Sequence, residues 1–106
     1  MTVQFPELHE LLGHDADKVR LVTRALYRAA AMDLQRLMRA AARQQWQAVS
    51  ELSRRIQLDC LQLSENEMAT AVAELGRASG GRFADTYSRH EAVIDGLLRR
   101  VNEFAR

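Results

Sequence analysis

Apolar residues recur at steps of three and four over much of the first half of the chain. The stripe consists of Val19, Val22, Leu26, Ala30, Leu34, Leu37 and Ala41. This spacing places its members on one side of an α-helix, which must bury that side against other elements. The only proline is Pro6, so no proline breaks this helix or any later one. These features predict an all-α fold.

Polar and glycine residues mark the ends of the first two helices. Residues 7–12 form a predicted short first helix, with Pro6 suited to its first position and Gly13 after its last turn. Asp15 is placed to cap the long second helix, because its carboxylate can accept hydrogen bonds from N–H groups of the first turn. Residues 43–45 are the expected turn into a third helix.

Three more helices follow, each with an apolar face of its own. The third presents Val49, Leu52, Ile56, Cys60 and Leu63, the fourth Met68, Ala71, Val72 and Leu75, and the last Tyr87, Ile94, Leu97, Val101 and Phe104. Ser64 and Glu67 match a capping box, which predicts that the fourth helix begins there. Ser88 and Glu91 make a second match for the last helix, with Asp85 as an alternative cap one turn earlier.

Composition limits the class of protein. A chain of 106 residues, 47% of them hydrophobic, is long enough for one domain, residues 1–106, and too short for two. Four helices with short joins predict an antiparallel up-and-down four-helix bundle, preceded by the short extra N-terminal helix. The net charge of +1 provides no field that would draw the chain to nucleic acid or anionic lipid.

Cysteine content and hydropathy favour the cytoplasm. Cys60 is the only cysteine, so no internal disulfide can form, as is usual in a reducing compartment. No apolar run approaches the roughly 20 residues that cross a bilayer. The N-terminus lacks the basic start and the apolar segment of a secretory signal. We therefore expect a soluble cytoplasmic protein that contacts no membrane.

Residues 46–64 resemble the active helix of histidine phosphotransfer (HPt) domains, the helical-bundle relays of bacterial two-component signalling. In that family a tryptophan at the start of the helix is followed, eight residues on, by the histidine that takes the phosphoryl group, within the pattern H-x-(L/I)-K-G. Trp46 and Ile56 match this pattern. Three positions depart from it: Arg54 replaces the histidine, Gln57 the lysine and Leu58 the glycine.

The resemblance extends beyond this helix. Residues 11–15, Leu-Leu-Gly-His-Asp, are similar to the Leu-Gly-Gly-Asp entry to the second helix of the family, and the match spans roughly residues 5–104. It implies the same helical-bundle architecture. In the family the glycine leaves room for an incoming receiver domain and the lysine helps to neutralise the phosphoryl group. Leu58 would fill that room, and Gln57 brings no charge.

Helix geometry places two of these departures, Arg54 and Leu58, on the surface. With Ile56 at the middle of the buried side of the third helix, Arg54, Leu58, Leu61 and Glu65 lie at least about 140° away and face outward. A guanidinium stays protonated at physiological pH and has no lone pair with which to attack phosphorus. Arg54 therefore cannot accept a phosphoryl group. We expect a non-enzymatic domain that has no catalytic residue and needs no cofactor.

Arg54, Arg55, Leu58 and Leu61 are the predicted partner-binding residues. Exposed leucines beside arginines have a composition that is common at interface hot spots. The resemblance implies the partner class, a response-regulator receiver domain or a histidine-kinase domain. The opposing interpretation is that another part of the bundle, foremost the first helix, covers both leucines. A further alternative is a structural homodimer, joined through the same face and without a signalling role.

The histidines suggest a third possibility, an HPt protein that is phosphorylated elsewhere. His90 is the best placed for this, although it borders the apolar stripe of the last helix. His9 and His14 lie on the first helix and its turn, apart from His90, and a metal site requires ligands that converge. We predict no metal site.

Two other candidates favour structural roles. Cys60 lies on the inward face of the third helix, where a thiol is usually an inert core group. Arg54 and Arg55 are flanked by Glu51 and Asp59 on the same helix, and this mixture of charges argues against a nucleic-acid site.

Overall fold

The structure, a computed structural model, describes residues 6–13 and 15–104, except for the side chains of residues 6, 7 and 9. Every regular element in these residues is an α-helix, which confirms the predicted all-α class. The helices are α1 (Pro6–Leu11), α2 (Ala16–Ala42), α3 (Trp46–Gln62), α4 (Asn66–Arg77) and α5 (Gly81–Phe104). None of these helices combines the length and the apolar character that crossing a bilayer requires.

The four long helices form a ring around a shared core. α2 packs against α3 and α5, and α4 also packs against α3 and α5, while α1 contacts α2. The resulting bundle measures 44 × 23 × 22 Å. α3 and α5 occupy opposite corners of the ring, so their outward surfaces face away from each other.

One continuous core draws side chains from all five helices. Its fully or nearly fully buried members include Leu8, Leu37, Ile56, Cys60, Met68, Leu75, Ile94 and Leu97. The four residues predicted for the inner face of α4 are all buried. On α3 the prediction is also correct, except that Leu52 is half-buried and packs at the edge of the core. Burial of this apolar surface is the main term that stabilises the bundle.

The buried side of α2 matches the predicted stripe at Val19, Ala30, Leu34 and Leu37 and departs from it at the other three positions. Val22, Leu26 and Ala41 are only half-buried, and the core instead includes Thr23, Tyr27, Asp33 and Ala40. A search for apolar residues alone misses Tyr27 and Asp33. Both can be buried because their polar groups have partners that lie far away in the sequence. A buried polar group that is hydrogen-bonded avoids most of its desolvation cost.

The ends of α2 agree with prediction. The Asp15 carboxylate accepts hydrogen bonds from the N–H groups of Asp17 and Lys18, at 3.1 and 3.2 Å, and so caps α2. Residues 43–45 form the turn into α3, in which Gln44 adopts a left-handed backbone with φ 60°. A left-handed residue after the last turn closes the helix by satisfying its final carbonyl groups.

The helix starts predicted from the two capping-box patterns are both wrong. Ser64 has φ 58° and ends α3, because the N–H of Glu65 bonds to the carbonyl of Cys60 at 2.8 Å. A residue in that conformation cannot serve as the N-cap of α4, and Glu65 takes that position. The last helix begins at Gly81 and not near Ser88 or Asp85, after a reversal at Gly80 with φ 59°.

Candidate functional site

α3 carries the residues predicted to bind a partner, and it presents two different sides. Ser53, Ile56 and Cys60 are buried between α3 and the rest of the bundle. Arg54 and Arg55 are exposed, as are Leu58, with 63% of its surface accessible, and Leu61, with 50%. We call Arg54, Arg55, Leu58 and Leu61 the docking face.

Both leucines of the docking face are open to solvent. α1, which was the expected cover, packs against α2. Among the described residues nothing buries Leu58 or Leu61, so the interpretation that the bundle covers them is wrong for this part of the chain. Large apolar side chains grouped on one surface mark interaction sites more often than isolated ones do.

Glu65 does not belong to this face, contrary to the helix-geometry prediction. α3 ends at Gln62, and the turn at Ser64 redirects the chain before Glu65. The Glu65 carboxylate accepts hydrogen bonds from the Tyr27 hydroxyl and from Nε of Arg100, both at 2.7 Å. It therefore lies within a polar cluster that joins α2, α4 and α5.

Sequence patterns do not reveal this cluster, because Glu65 lies 38 residues from Tyr27 and 35 residues from Arg100. Burial raises the pKa of Tyr27 above its usual value, and the neighbouring Glu65 carboxylate adds to the effect. The Tyr27 ring also stacks on Phe104, with ring centroids 4.8 Å apart. The cluster serves to hold the end of α5 against α2.

A buried carboxylate lies beside the docking face. Asp33 of α2 has a side chain that is 4% exposed, and its Oδ1 accepts from Nη1 of Arg36 at 3.0 Å. Its Oδ2 lies 3.4 Å from Nε of Arg55, across the boundary between α2 and α3. Burial raises the pKa of the nearby Asp59, and the negative charge of Asp33 raises it further.

The opposite edge of α3 faces α4 at very short range. Ser53 donates a hydrogen bond to the Val72 carbonyl at 2.7 Å and accepts one from Nε2 of Gln57 at 3.1 Å. A Cβ on Gly76 would lie only 2.3 Å from the Ser53 hydroxyl oxygen. Gln57, which occupies the position of the family lysine, is therefore half-buried and engaged inside the protein.

The remaining candidates take part in packing. Nε2 of His90 is hydrogen-bonded to the Glu74 carboxylate, and this bond, ahead of other influences, lowers the pKa of Glu74. The side chain of His9 and all of His14 lie outside the described residues. Cys60 is fully buried, and desolvation raises the pKa of its thiol to about 12.

The described part of the chain contains no group of three or more His, Cys, Asp or Glu side chains that could hold a metal ion. No protein-family model, curated protein or solved structure matches the chain. The chemistry of the docking face is thus that of its own side chains, two guanidinium groups and two leucines exposed side by side. None of these four groups is a nucleophile.

Proposed function

We propose that this chain is an HPt-like domain without a phosphoacceptor, which binds a receiver or histidine-kinase domain through its docking face. It acts in two-component signalling in the cytoplasm as a non-enzymatic module and uses no cofactor. The observation that carries the proposal is the exposure of Leu58 and Leu61 beside Arg54, the residue at the position matched to the family's histidine.

The proposal includes the finer architecture, an antiparallel up-and-down four-helix bundle with a short N-terminal helix. Three joins of three residues each, at 43–45, 63–65 and 78–80, connect the four long helices. Joins this short favour antiparallel neighbours. The contacts of α3 with both α2 and α4 agree with this order.

The composition of the docking face supports binding to a protein. Burying two leucines contributes roughly 3–6 kcal/mol before the costs of association. Arginines beside them add directional hydrogen bonds to carboxylates. Arg54 and Arg55 therefore favour a partner whose own surface is acidic, as expected for the aspartate-lined phosphorylation site of a receiver domain.

The chain would bind such a partner without taking its phosphoryl group. Arg54 presents a permanent cation where the family has an imidazole, and Leu58 adds bulk where the family has a glycine. Binding would then occupy the receiver surface that a functional HPt protein needs. We propose that the chain competes with, or gates, a working phosphorelay.

The test is isothermal titration calorimetry of the protein with purified receiver and kinase domains from the same organism. We expect Leu58→Asp to weaken the tightest complex by tenfold or more, since about 1.4 kcal/mol of lost interaction is a factor of ten. Leu98→Asp is the matched control. It makes the same change at an exposed leucine of α5, on the opposite corner of the ring.

Equal affinities for the wild-type protein and Leu58→Asp would remove the docking face from the proposal. If no receiver or kinase domain binds the wild-type protein, the signalling role itself is wrong. The alternative is a homodimer that buries the same exposed leucines. Sedimentation at several protein concentrations distinguishes the two, because only the homodimer requires self-association of the isolated protein.

Phosphorylation of another histidine is the other alternative. Nε2 of His90 is already engaged by Glu74 between α4 and α5, so His90 offers only Nδ1 unless this bond breaks. We expect no acid-labile phosphate on the protein after incubation with a phosphorylated receiver. Label that disappears in His90→Gln would establish a working relay and contradict the proposal.

A further inference from the structure

Asp33 is one of few charged side chains that the structure buries, and both of its contacts are arginines. Arg36 lies one turn later on α2, and Arg55 comes from α3. The side chains of Arg36 and Arg55 remain 51% and 63% exposed, while the Asp33 side chain between them is 4% exposed. A single buried group thus holds two surface cations across a helix–helix boundary.

The contacts leave much of each guanidinium free. Arg55 approaches Asp33 through Nε, so neither of its terminal nitrogens is used in this contact. Arg36 uses Nη1 and keeps Nη2. A guanidinium whose position is already fixed loses less conformational freedom when it binds a second carboxylate.

The position of this pair relates it to the docking face. Arg55 belongs to that face, and Leu58 lies one turn further along α3, beside it. Arg36 extends the cationic surface from α3 onto α2. Met32, which is exposed, lies one turn before Arg36 on α2 and adds apolar surface there.

We infer that Asp33 is a positioning residue that holds Arg36 and Arg55 as a paired binding site for carboxylates of the partner. This inference rests on the proposed function and specifies the chemistry of the partner, a protein surface on which acidic residues border an apolar patch. The site spans the boundary between α2 and α3.

Charge complementarity favours this partner over a second copy of the chain. A twofold interface presents the same patch from both subunits, so Arg36, Arg54 and Arg55 of each copy would enter one interface, where they outnumber the exposed carboxylate of Glu51. Like charges placed opposite each other oppose association. The exposed leucines favour a protein partner over a nucleic acid, because phosphate groups offer no apolar surface to leucine side chains.

The experiment compares Asp33→Asn with the wild-type protein in titrations with the receiver or kinase domain that binds it. Asp33→Asn raises the net charge by one, so attraction by charge alone would tighten binding to an acidic surface. If Asp33 positions the arginines, Asp33→Asn should instead bind the partner about tenfold more weakly than the wild-type protein, because both arginines lose their fixed geometry. Asp95→Asn, an exposed aspartate on α5, makes the same charge change as the matched control.

Arg36→Gln and Arg55→Gln test the same site from its exposed members, and each leaves the buried Asp33 carboxylate with the other arginine as its partner. Each substitution should weaken binding severalfold. Combining either one with Asp33→Asn should reduce the affinity little further, because both changes act on the same site. Arg99→Gln, at an exposed arginine of α5, is their control. Circular dichroism shows whether each variant remains folded.

Several outcomes overturn the inference. If Leu58→Asp weakens the complex while Asp33→Asn and both arginine variants bind as tightly as wild type, the docking face stands and the role of Asp33 does not. If no receiver or kinase domain binds, the inference falls together with the proposed function. Displacement of the partner by duplex DNA at physiological salt, abolished by Asp33→Asn, would assign the arginine pair to nucleic acid instead.

Discussion

Gly76 is a residue at which α4 approaches α3 closely. A Cβ at this position would approach Ser53 Oγ to 2.3 Å and Ser53 Cβ to 2.6 Å. The Ser53 hydroxyl has little freedom to move, since it donates to the Val72 carbonyl and accepts from Gln57. One absent methyl group therefore sets the distance between two helices.

Gly76→Ala should destabilise the protein. Overpacking of this kind costs about 1–3 kcal/mol, from which up to about 1 kcal/mol of improved helix propensity is subtracted. Urea denaturation followed by the fluorescence of Trp46, the only tryptophan, measures the change in the free energy of unfolding. Gly81→Ala is the control, because a Cβ there meets nothing within 4 Å. A Gly76→Ala protein as stable as wild type would show that the helices separate at no cost.

Ser53 and Asp33 also show where prediction from sequence reaches its limit. Both are buried polar residues that interrupt apolar stripes, so hydrophobic periodicity assigns them to the surface. Their burial depends on partners in other helices, Val72 for Ser53 and Arg55 for Asp33. Neither partner is identifiable without the tertiary arrangement. The outward direction of Arg54, Leu58 and Leu61 required only the local helix repeat.

At the scale of elements, the start of α2 followed its local signal, whereas the starts of α4 and α5 did not. The Asp15 cap is encoded by residues within three positions of each other. Ser64 has the composition of a cap but adopts the left-handed conformation that closes α3. A capping-box pattern cannot distinguish the residue that ends one helix from the residue that begins the next.

The polar cluster around Glu65 fixes how α5 is attached. Glu65 accepts hydrogen bonds from Tyr27 of α2 and from Arg100 of α5, and Nε of Arg24 donates to the Phe104 carbonyl at 2.9 Å. Helix packing alone would hold the final turns of α5 weakly, since Val101 and Phe104 are only half-buried. The cluster supplies directional contacts at this end of the bundle.

Glu65→Ala should loosen the C-terminal turns of α5. The substitution removes the carboxylate that accepts hydrogen bonds from the Tyr27 hydroxyl and the Arg100 guanidinium. We expect this loss to lower the free energy of unfolding by about 1–3 kcal/mol. Hydrogen exchange should accelerate most at the amides between Arg100 and Phe104. Glu91→Ala removes an exposed carboxylate from the middle of α5 and should leave this exchange unchanged. Uniform acceleration over the whole bundle would contradict a local role for the cluster.

At the scale of the whole molecule, composition and periodicity were sufficient to predict the all-α class that the described residues show. They also placed Leu58 and Leu61 on the outward side of α3 but left open whether α1 covers them, because that depends on tertiary packing. The structure leaves both leucines exposed, and α1 packs against α2. The proposed partner class still depends on residues 46–58 and their resemblance to the HPt pattern.

We expect the isolated protein to sediment as a monomer. A twofold dimer through the docking face would bring together more arginines than the exposed Glu51 carboxylates could pair, and the remaining repulsion opposes the gain from burying leucines. Analytical ultracentrifugation over a wide concentration range, repeated at high salt, measures self-association. A dimer that strengthens with protein concentration and is lost in Leu58→Asp would favour the structural homodimer over the signalling role.

The enclosed thiol at position 60 has a practical consequence for such experiments. Its pKa of about 12 and its complete burial leave it unreactive toward labelling reagents at neutral pH while the protein stays folded. A second cysteine introduced in place of the exposed Gln62, next to Leu61, would consequently be the one thiol available to a maleimide dye. Fluorescence from that dye would report contact at this surface directly, with no need to delete the native sulfur.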